Sequence, residues 1–284
     1  MKVLFALIPI TILLLLGSCK KDKYLAEVPS YIKVDRFIVK TDSINQGSAS
    51  SRITDVWVYG GSDFLGAFEL PATIPLKKRD LTELTLMPGI YNNGIKTTRA
   101  IFPFYTHYSV SNTLTQDSVV NVSPEVTYKS NVVFKWIESF DGLGVSLLKS
   151  TASDTSIIVT KELGVSKDGS NCAGMQLKKG QDLAQMISTY SYVLPSNKEI
   201  YMELDFKCDF SFAVGITADN GVLPISSNLI ILNPTSVWKK IYVNLSSFVA
   251  QNQNSIFTFY FRMDKGSDIE SASFYIDNIK VVHE

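Results

Sequence analysis

The sequence predicts an all-β protein, a small antiparallel sandwich followed by a two-sheet β jelly roll. Three observations carry this expectation. Short runs that alternate apolar and polar residues recur along the whole chain. Gly, Pro and Asn turns separate them, and no long stretch holds a 3.6-residue apolar period. The roughly 265 residues that follow the N-terminal leader suit two domains of ordinary size, divided as residues 30–129 and 130–284.

The leader comes first. Lys2 precedes Val3 to Leu16, which are apolar except for Pro9 and Thr11, the layout of a secretory signal. This segment is too short to span a bilayer, which takes about 20 apolar residues. Leu16-Gly17-Ser18-Cys19 closes it and resembles the bacterial lipobox, which implies removal of residues 1–18 and lipid on Cys19. Acyl chains bury about 0.8 kcal/mol per CH₂, and several together hold a protein stably on a membrane, so Cys19 reads as an anchor, with residues 19–29 as tether. Lys20 in place of aspartate favours sorting to the outer membrane. The segment Cys19-Lys20-Lys21-Asp22-Lys23 resembles the start of Bacteroidetes lipoproteins, although only one acid follows the cysteine. The membrane face therefore stays undecided, leaning to the periplasmic side.

Cleavage leaves 26 basic and 27 acidic side chains, and this scattered, near-neutral charge excludes nucleic acid as a partner. With Cys19 lipidated, Cys172 and Cys208 remain in a compartment that permits disulfides. A bridge and two free thiols both stay open. Cys208 shares its parity with Ile200, Met202, Leu204 and Phe206, which aims it at a core.

Within residues 30–129, YIKVDRFIVK, ITDVWVYGG, FLGAFELPATIPL, LTELTLMPGI, AIFPFYTHYSV and DSVVNVSP read as short strands. DVWVYGGSDFLGAFELPATIPL followed by LTLMPGIYNNG resembles the PEGA family of small β modules, which implies a scaffolding role with no catalytic residue. AIFPFYTHY crowds aromatic residues around Pro103, which confines it to an edge or bulge. Burial within its own domain and an interdomain surface both suit it.

Residues 130–284 read as about ten further strands, the count of a jelly roll. Phe140-Asp141-Gly142, the run Trp238 to Leu245 and Phe274-Tyr275-Ile276-Asp277-Asn278-Ile279 together resemble galactose-binding-like and carbohydrate-binding-module jelly rolls. That resemblance implies the fold of the whole second domain and leaves the ligand open. It also implies a structural Ca²⁺ between Asp141 and Asp277, with backbone carbonyls completing the six to eight oxygens that calcium takes. In FYIDNIKVV the apolar parity shifts between Ile276 and Ile279, which predicts a β-bulge at Asp277 and Asn278.

The chain holds none of the hydrolase, zinc-protease or phosphate-loop motifs. Only His107 and His283 titrate near neutrality without a large shift, and a non-enzymatic role is expected. Alternation offers a binding face instead. Ile200, Met202, Leu204 and Phe206 leave Tyr201, Glu203 and Asp205 on the opposite side; Trp238 and Tyr242 oppose Ile241 and Val243; Tyr260 and Arg262 oppose Phe259 and Phe261. If these strands share a sheet, the face mixes aromatic rings with hydrogen-bonding groups, as a sugar requires. The expected function is glycan binding by the jelly roll. The alternative is a structural or adaptor subunit whose jelly roll docks an envelope protein; a glycoside hydrolase, which needs only a pair of acids in a cleft, ranks behind both. Two further motifs, Asp42-Ser43-Ile44 and Asp117-Ser118-Val119, resemble the short O-glycosylation motif of Bacteroidetes envelope proteins, which implies glycan on Ser43 and Ser118.

Overall fold

The computed structural model describes residues 28–77, 83–110, 117–162 and 164–284. The leader, Cys19 and most of the tether lie outside the described residues. Among the described residues no helix is long and apolar enough to cross a membrane.

The strands sort into two groups. The first contains β1 (Ser30–Val34), β2 (Ile38–Lys40), β3 (Asp55–Gly60), β4 (Asp63–Glu69), β5 (Ala72–Leu76), β6 (Leu84–Tyr91), β7 (Arg99–Ile101), β8 (Tyr108–Val110), β9 (Val119–Val122) and β10 (Glu125–Thr127). They form a sheet ordered β5-β1-β9, a β10-β2 pair, and a sheet ordered β4-β3-β6-β7 with β8 also on β6. Alternation builds the core between them: Ile32, Val34, Ile74 and Leu76 from one side meet Val56, Val58, Leu84 and Leu86 from the other. One feature departs from an antiparallel sandwich, since β1 pairs with β9 and β2 with β10 in parallel. A strand run shows its own faces but not the direction from which a distant strand arrives.

The second group contains β11 (Val133–Glu138), β12 (Leu147–Lys149), β13 (Ile158–Thr160), β14 (Cys172–Lys178), β15 (Leu183–Ser188), β16 (Ile200–Cys208), β17 (Phe212–Asp219), β18 (Ile225–Leu232), β19 (Thr235–Asn244), β20 (Ile256–Asp264) and β21 (Ser271–His283), with one short helix, α1 (Ser246–Gln251). One sheet runs β13-β14-β21-β16-β19, with β11 also on β21; the other runs β12-β15-β20-β17-β18. Every pairing in both is antiparallel. Met202, Leu204, Phe274 and Ile276 of the first sheet pack against Val214, Ile216, Phe259 and Phe261 of the second, so this is a two-sheet β-sandwich. β21 is long enough to pair with β14 through its first half and β11 through its second. The bulge expected in it is present: Asn278 has φ of 51°, and the register against β16 shifts between Glu203 and Asp205.

The two groups share a core. Tyr201, Tyr242 and Val282, on the outer face of the β16–β19 sheet, are buried with Phe102, Phe104 and Tyr105 of the first group. The Phe102 ring lies 4.8 Å from that of Tyr242 and 5.5 Å from that of Tyr201. Phe102, Phe104 and Tyr105 of AIFPFYTHY are thus buried both in their own strand group's core and against the second group. The β6–β7 turn clasps β19 by backbone bonds: Asn93 N–H donates to the Tyr242 carbonyl at 2.9 Å, and Asn244 N–H to Asn93 Oδ1 at 2.8 Å.

Candidate ligand-binding groove

The sheet left open to solvent is the one containing β20. Its outward residues come from strand parity: Phe257, Phe259, Phe261 and Met263 are buried in the core, which turns Thr258, Tyr260, Arg262 and Asp264 outward. Gln185 and Ile187 of β15 lie beside them on one flank, and Thr217 of β17 with Ser226 and Asn228 of β18 on the other. Together they line a groove of about 410 Å³.

Tyr260 forms its floor. The ring lies over Gly215, its partner on β17; a Cβ built at that glycine would stand 1.9 Å from Tyr260 Cζ. The phenol donates to Asn228 Oδ1 at 2.8 Å, and only 8% of the residue is exposed. Burial pushes the phenol pKa up, with Arg262 pulling the other way, so the hydroxyl is neutral at physiological pH. Arg262 is clamped by Asp264 through two bonds of 2.7 Å and donates to Gln185 Oε1 at 3.2 Å; the Asp264 bonds hold the guanidinium pKa above its usual value. Thr217 and Ser226 hydroxyls meet at 2.8 Å. The result is one flat ring surrounded by hydroxyl, amide and guanidinium groups, a surface for binding polar ligands with hydrophobic CH faces.

The other expected ligand residues are elsewhere, and the single seven-residue face is corrected. β20 belongs to one sheet, β16 and β19 to the other. Tyr201, Glu203, Asp205 and Tyr242 do face outward from β16 and β19, but the first domain covers them and all four are buried. Glu203 accepts from the Tyr128 hydroxyl at 2.6 Å, and Asp205 from Ser50 at 2.9 Å and Lys167 at 3.0 Å. Trp238 is half-buried and donates its indole N–H to the Val165 carbonyl at 3.0 Å. Gln185, Gly215, Thr217, Ser226 and Asn228 escaped the sequence reading. Their one local signal was Gly215 itself, since glycine inside a strand marks a place where another group approaches closely.

Asp141 and Asp277 reach the same turn. Asp141 accepts from Asn171 N–H at 2.9 Å and is exposed; Asp277 is buried and accepts from the Ser170 hydroxyl at 3.3 Å and Asn278 N–H at 2.6 Å. Among the described residues no group of three or more His, Cys, Asp or Glu is placed to hold a metal, so a cation here would draw its remaining oxygens from carbonyls. Cys172 and Cys208 are both buried and free, and burial raises each thiol to about 11. Ser43 is exposed and Ser118 half-buried. His107 is exposed, and the Nδ1 of His283 lies 3.2 Å from the Glu284 carbonyl.

No family model and no curated protein matches the chain. Among solved structures, it is similar to the N-terminal carbohydrate-binding-module 22 and glycoside-hydrolase 10 modules of Clostridium thermocellum endo-1,4-β-D-xylanase 10B, complexed with xylohexaose, at 9% identity and a TM-score of 0.41, over 53% of this chain and 28% of that one. A xylan-binding domain of family 22 matches at 10% identity and TM-score 0.37, over 52% and 93% of the two chains. The family 11 carbohydrate-binding module of a Clostridium thermocellum cellulosomal cellulase matches at 20% and 0.36, over 54% and 95%.

Proposed function

We propose that this protein is a non-enzymatic, lipid-anchored outer-membrane protein whose jelly roll binds glycan in the groove over β15, β20, β17 and β18. The observation that carries the reading is Tyr260 laid over Gly215 and pinned by Asn228, within a ring of polar side chains. A pyranose packs its CH face on such a ring and pairs its hydroxyls with the groups around it. Titration of the purified chain with soluble neutral xylan and mixed-linked β-glucan tests this. Saturable binding weakened by Asn228→Ala and by Arg262→Ala is expected; binding of neither polysaccharide rejects the reading.

The anchor rests on the leader and Cys19. Cys19→Ala should yield protein released from the membrane fraction or held as precursor. Normal membrane fractionation of a mature-size Cys19→Ala band would sink it. One observation favours an adaptor role beside glycan binding: on the outer face of β3 and β4, Phe64 is 53% exposed, with its ring 5.4 Å from Trp57 and 5.3 Å from Tyr59. Exposed aromatic clusters of this kind serve protein contacts.

A further inference from the structure

A second cleft opens where the two strand groups meet, toward the far end of β18 from Ser226. It measures about 450 Å³ and lies between Arg52 with the β6–β7 turn of the first domain and the β18–β19 end of the second. A narrower recess of about 30 Å³ shares Arg52, Gly94, Lys240 and Ile241 with it. Domain junctions are common places for ligand sites, and the cleft has the size of one.

Its chemistry is one-sided. Arg52, Lys239 and Lys240 line the cleft, and no carboxylate lines either the cleft or the recess. Among the described residues the Arg52 guanidinium and Lys239 ammonium have no acidic partner. Lys240 lies behind them. It is 5% exposed, its ammonium makes no hydrogen bond, and its charged neighbour is Glu203 Oε2 at 3.4 Å. Glu203 is also held by the Tyr128 hydroxyl, and Lys280, buried beside that hydroxyl at 3.3 Å, draws on the same negative charge. The Lys240 ammonium is sealed from solvent and ion-paired with Glu203, so it adds positive charge behind the cleft rather than a ligand contact. Ile95, Ile230 and Ile231 give the cleft an aliphatic lining, and Asn233 also lines it.

The geometry points to a binding site for an acidic saccharide, a uronate whose carboxylate sits between Arg52 and Lys239 and whose ring packs on the isoleucines. This site is independent of the neutral-glycan groove. Charge-assisted bonds from a guanidinium and an ammonium group favour a carboxylate, while the aliphatic side chains accept the CH face of a pyranose.

Calorimetric titration of the purified chain with an oligogalacturonide, beside its methyl ester, tests the assignment. The acid form is expected to bind. Esterification, 0.5 M NaCl and Arg52→Ala/Lys239→Ala should each weaken binding by about tenfold or more, as loss of screened or paired charges does. Both substituted residues are exposed, so the double variant keeps the melting temperature, and it keeps neutral-glycan affinity. No binding of the acid, equal binding of the ester, unchanged affinity in the double variant, or loss of uronate binding in Asn228→Ala would each overturn the proposal. The last of these would move the acid into the groove.

Discussion

Gly215 decides the shape of the groove more than any side chain that lines it. Its missing Cβ leaves the space that Tyr260 occupies, and the ring then reaches Asn228. Gly215→Ala should push the ring off the strand, costing about 1–3 kcal/mol of stability as overpacking does, and should abolish polysaccharide binding. Tyr260→Phe, which keeps the ring and loses one hydrogen bond, should cost about 0.5–1.5 kcal/mol. Urea denaturation and titration of both variants check this; equal binding by Gly215→Ala and the parent would show that the flat ring is not the contact surface. Ser43 belongs to the same scale. Asp42 ties its own turn, accepting from Asn45 Nδ2 at 2.6 Å and Ile44 N–H at 3.0 Å, and these bonds, the Asn45 one foremost, lower its carboxyl pKa. The turn leaves Ser43 exposed, where a bulky group is carried without entering a core. We expect glycan on Ser43, and on Ser118 to a smaller extent, in protein from the native host; an intact mass showing only the lipid increment would reject it.

The element that concentrates most consequence is β21. Its bulge buries Asp277 opposite Asp205, while Asn278 Nδ2 and Lys167 hold the Asp205 carboxylate. Burial, and after it the Asp205 charge, raises the Asp277 carboxyl to about 7, against the pull of Asn278, Ser170 and Lys167. A carboxyl raised in the folded state contributes stability that is full below its ordinary value near 3.8 and is lost as pH rises through about 7. The loss should be on the order of 2–4 kcal/mol. Asp277→Asn should flatten it, because the amide pays no charge burial. Denaturation between pH 4.5 and 7.5, a window set by these values, checks the slope; parallel curves for variant and parent would remove Asp277 as its source. Lys280, lowered to about 8 chiefly by burial, acts in the opposite direction and above this window. Our calcium proposal adds a condition. Ca²⁺ would favour the ionised carboxylate, so at pH 7.5 it should raise the parent's melting midpoint and leave Asp277→Asn unmoved. Identical midpoints with Ca²⁺ and with EDTA would reject the site.

Across the whole molecule, the shared core predicts that the two strand groups melt as one. Tyr201 and Tyr242 fill the first domain's core as much as they cover the second's sheet, and Glu203, Lys240 and Lys280 are buried at the same seam. Separating the domains would expose these rings to water and break the Tyr128–Glu203 and Lys280–Ser48 bonds across the seam. Calorimetry of the full chain should therefore show a single transition. Tyr242→Ala should lower it by about 3–5 kcal/mol, the usual cost of emptying a large aromatic site. Two resolved transitions, with only one shifted by Tyr242→Ala, would mean that the interface is an accessory contact.

Much of the fold was legible in the chain because side-chain parity is local. Successive Cβ atoms alternate across a strand, so Met202 and Leu204 against Glu203 and Asp205, Phe259 and Phe261 against Tyr260 and Arg262, and the parity break at Asp277 could all be read from a few neighbouring letters. The all-β class and the aromatic crowding around Pro103 followed from the same kind of local reading. Which faces meet is a different question, because it depends on pairings between distant residues. Nothing near Tyr260 says that β20 lies beside β15 and β17 rather than β16, and nothing near Tyr242 says that Phe102 will cover it. Tyrosine has an apolar ring and a polar tip, so it suits an open sugar platform and a sealed interface equally well. Only the tertiary structure decided between them: it placed Tyr201 and Tyr242 under the first domain, left Tyr260 on the open sheet, and brought Arg52 to within reach of the same cleft as Lys240.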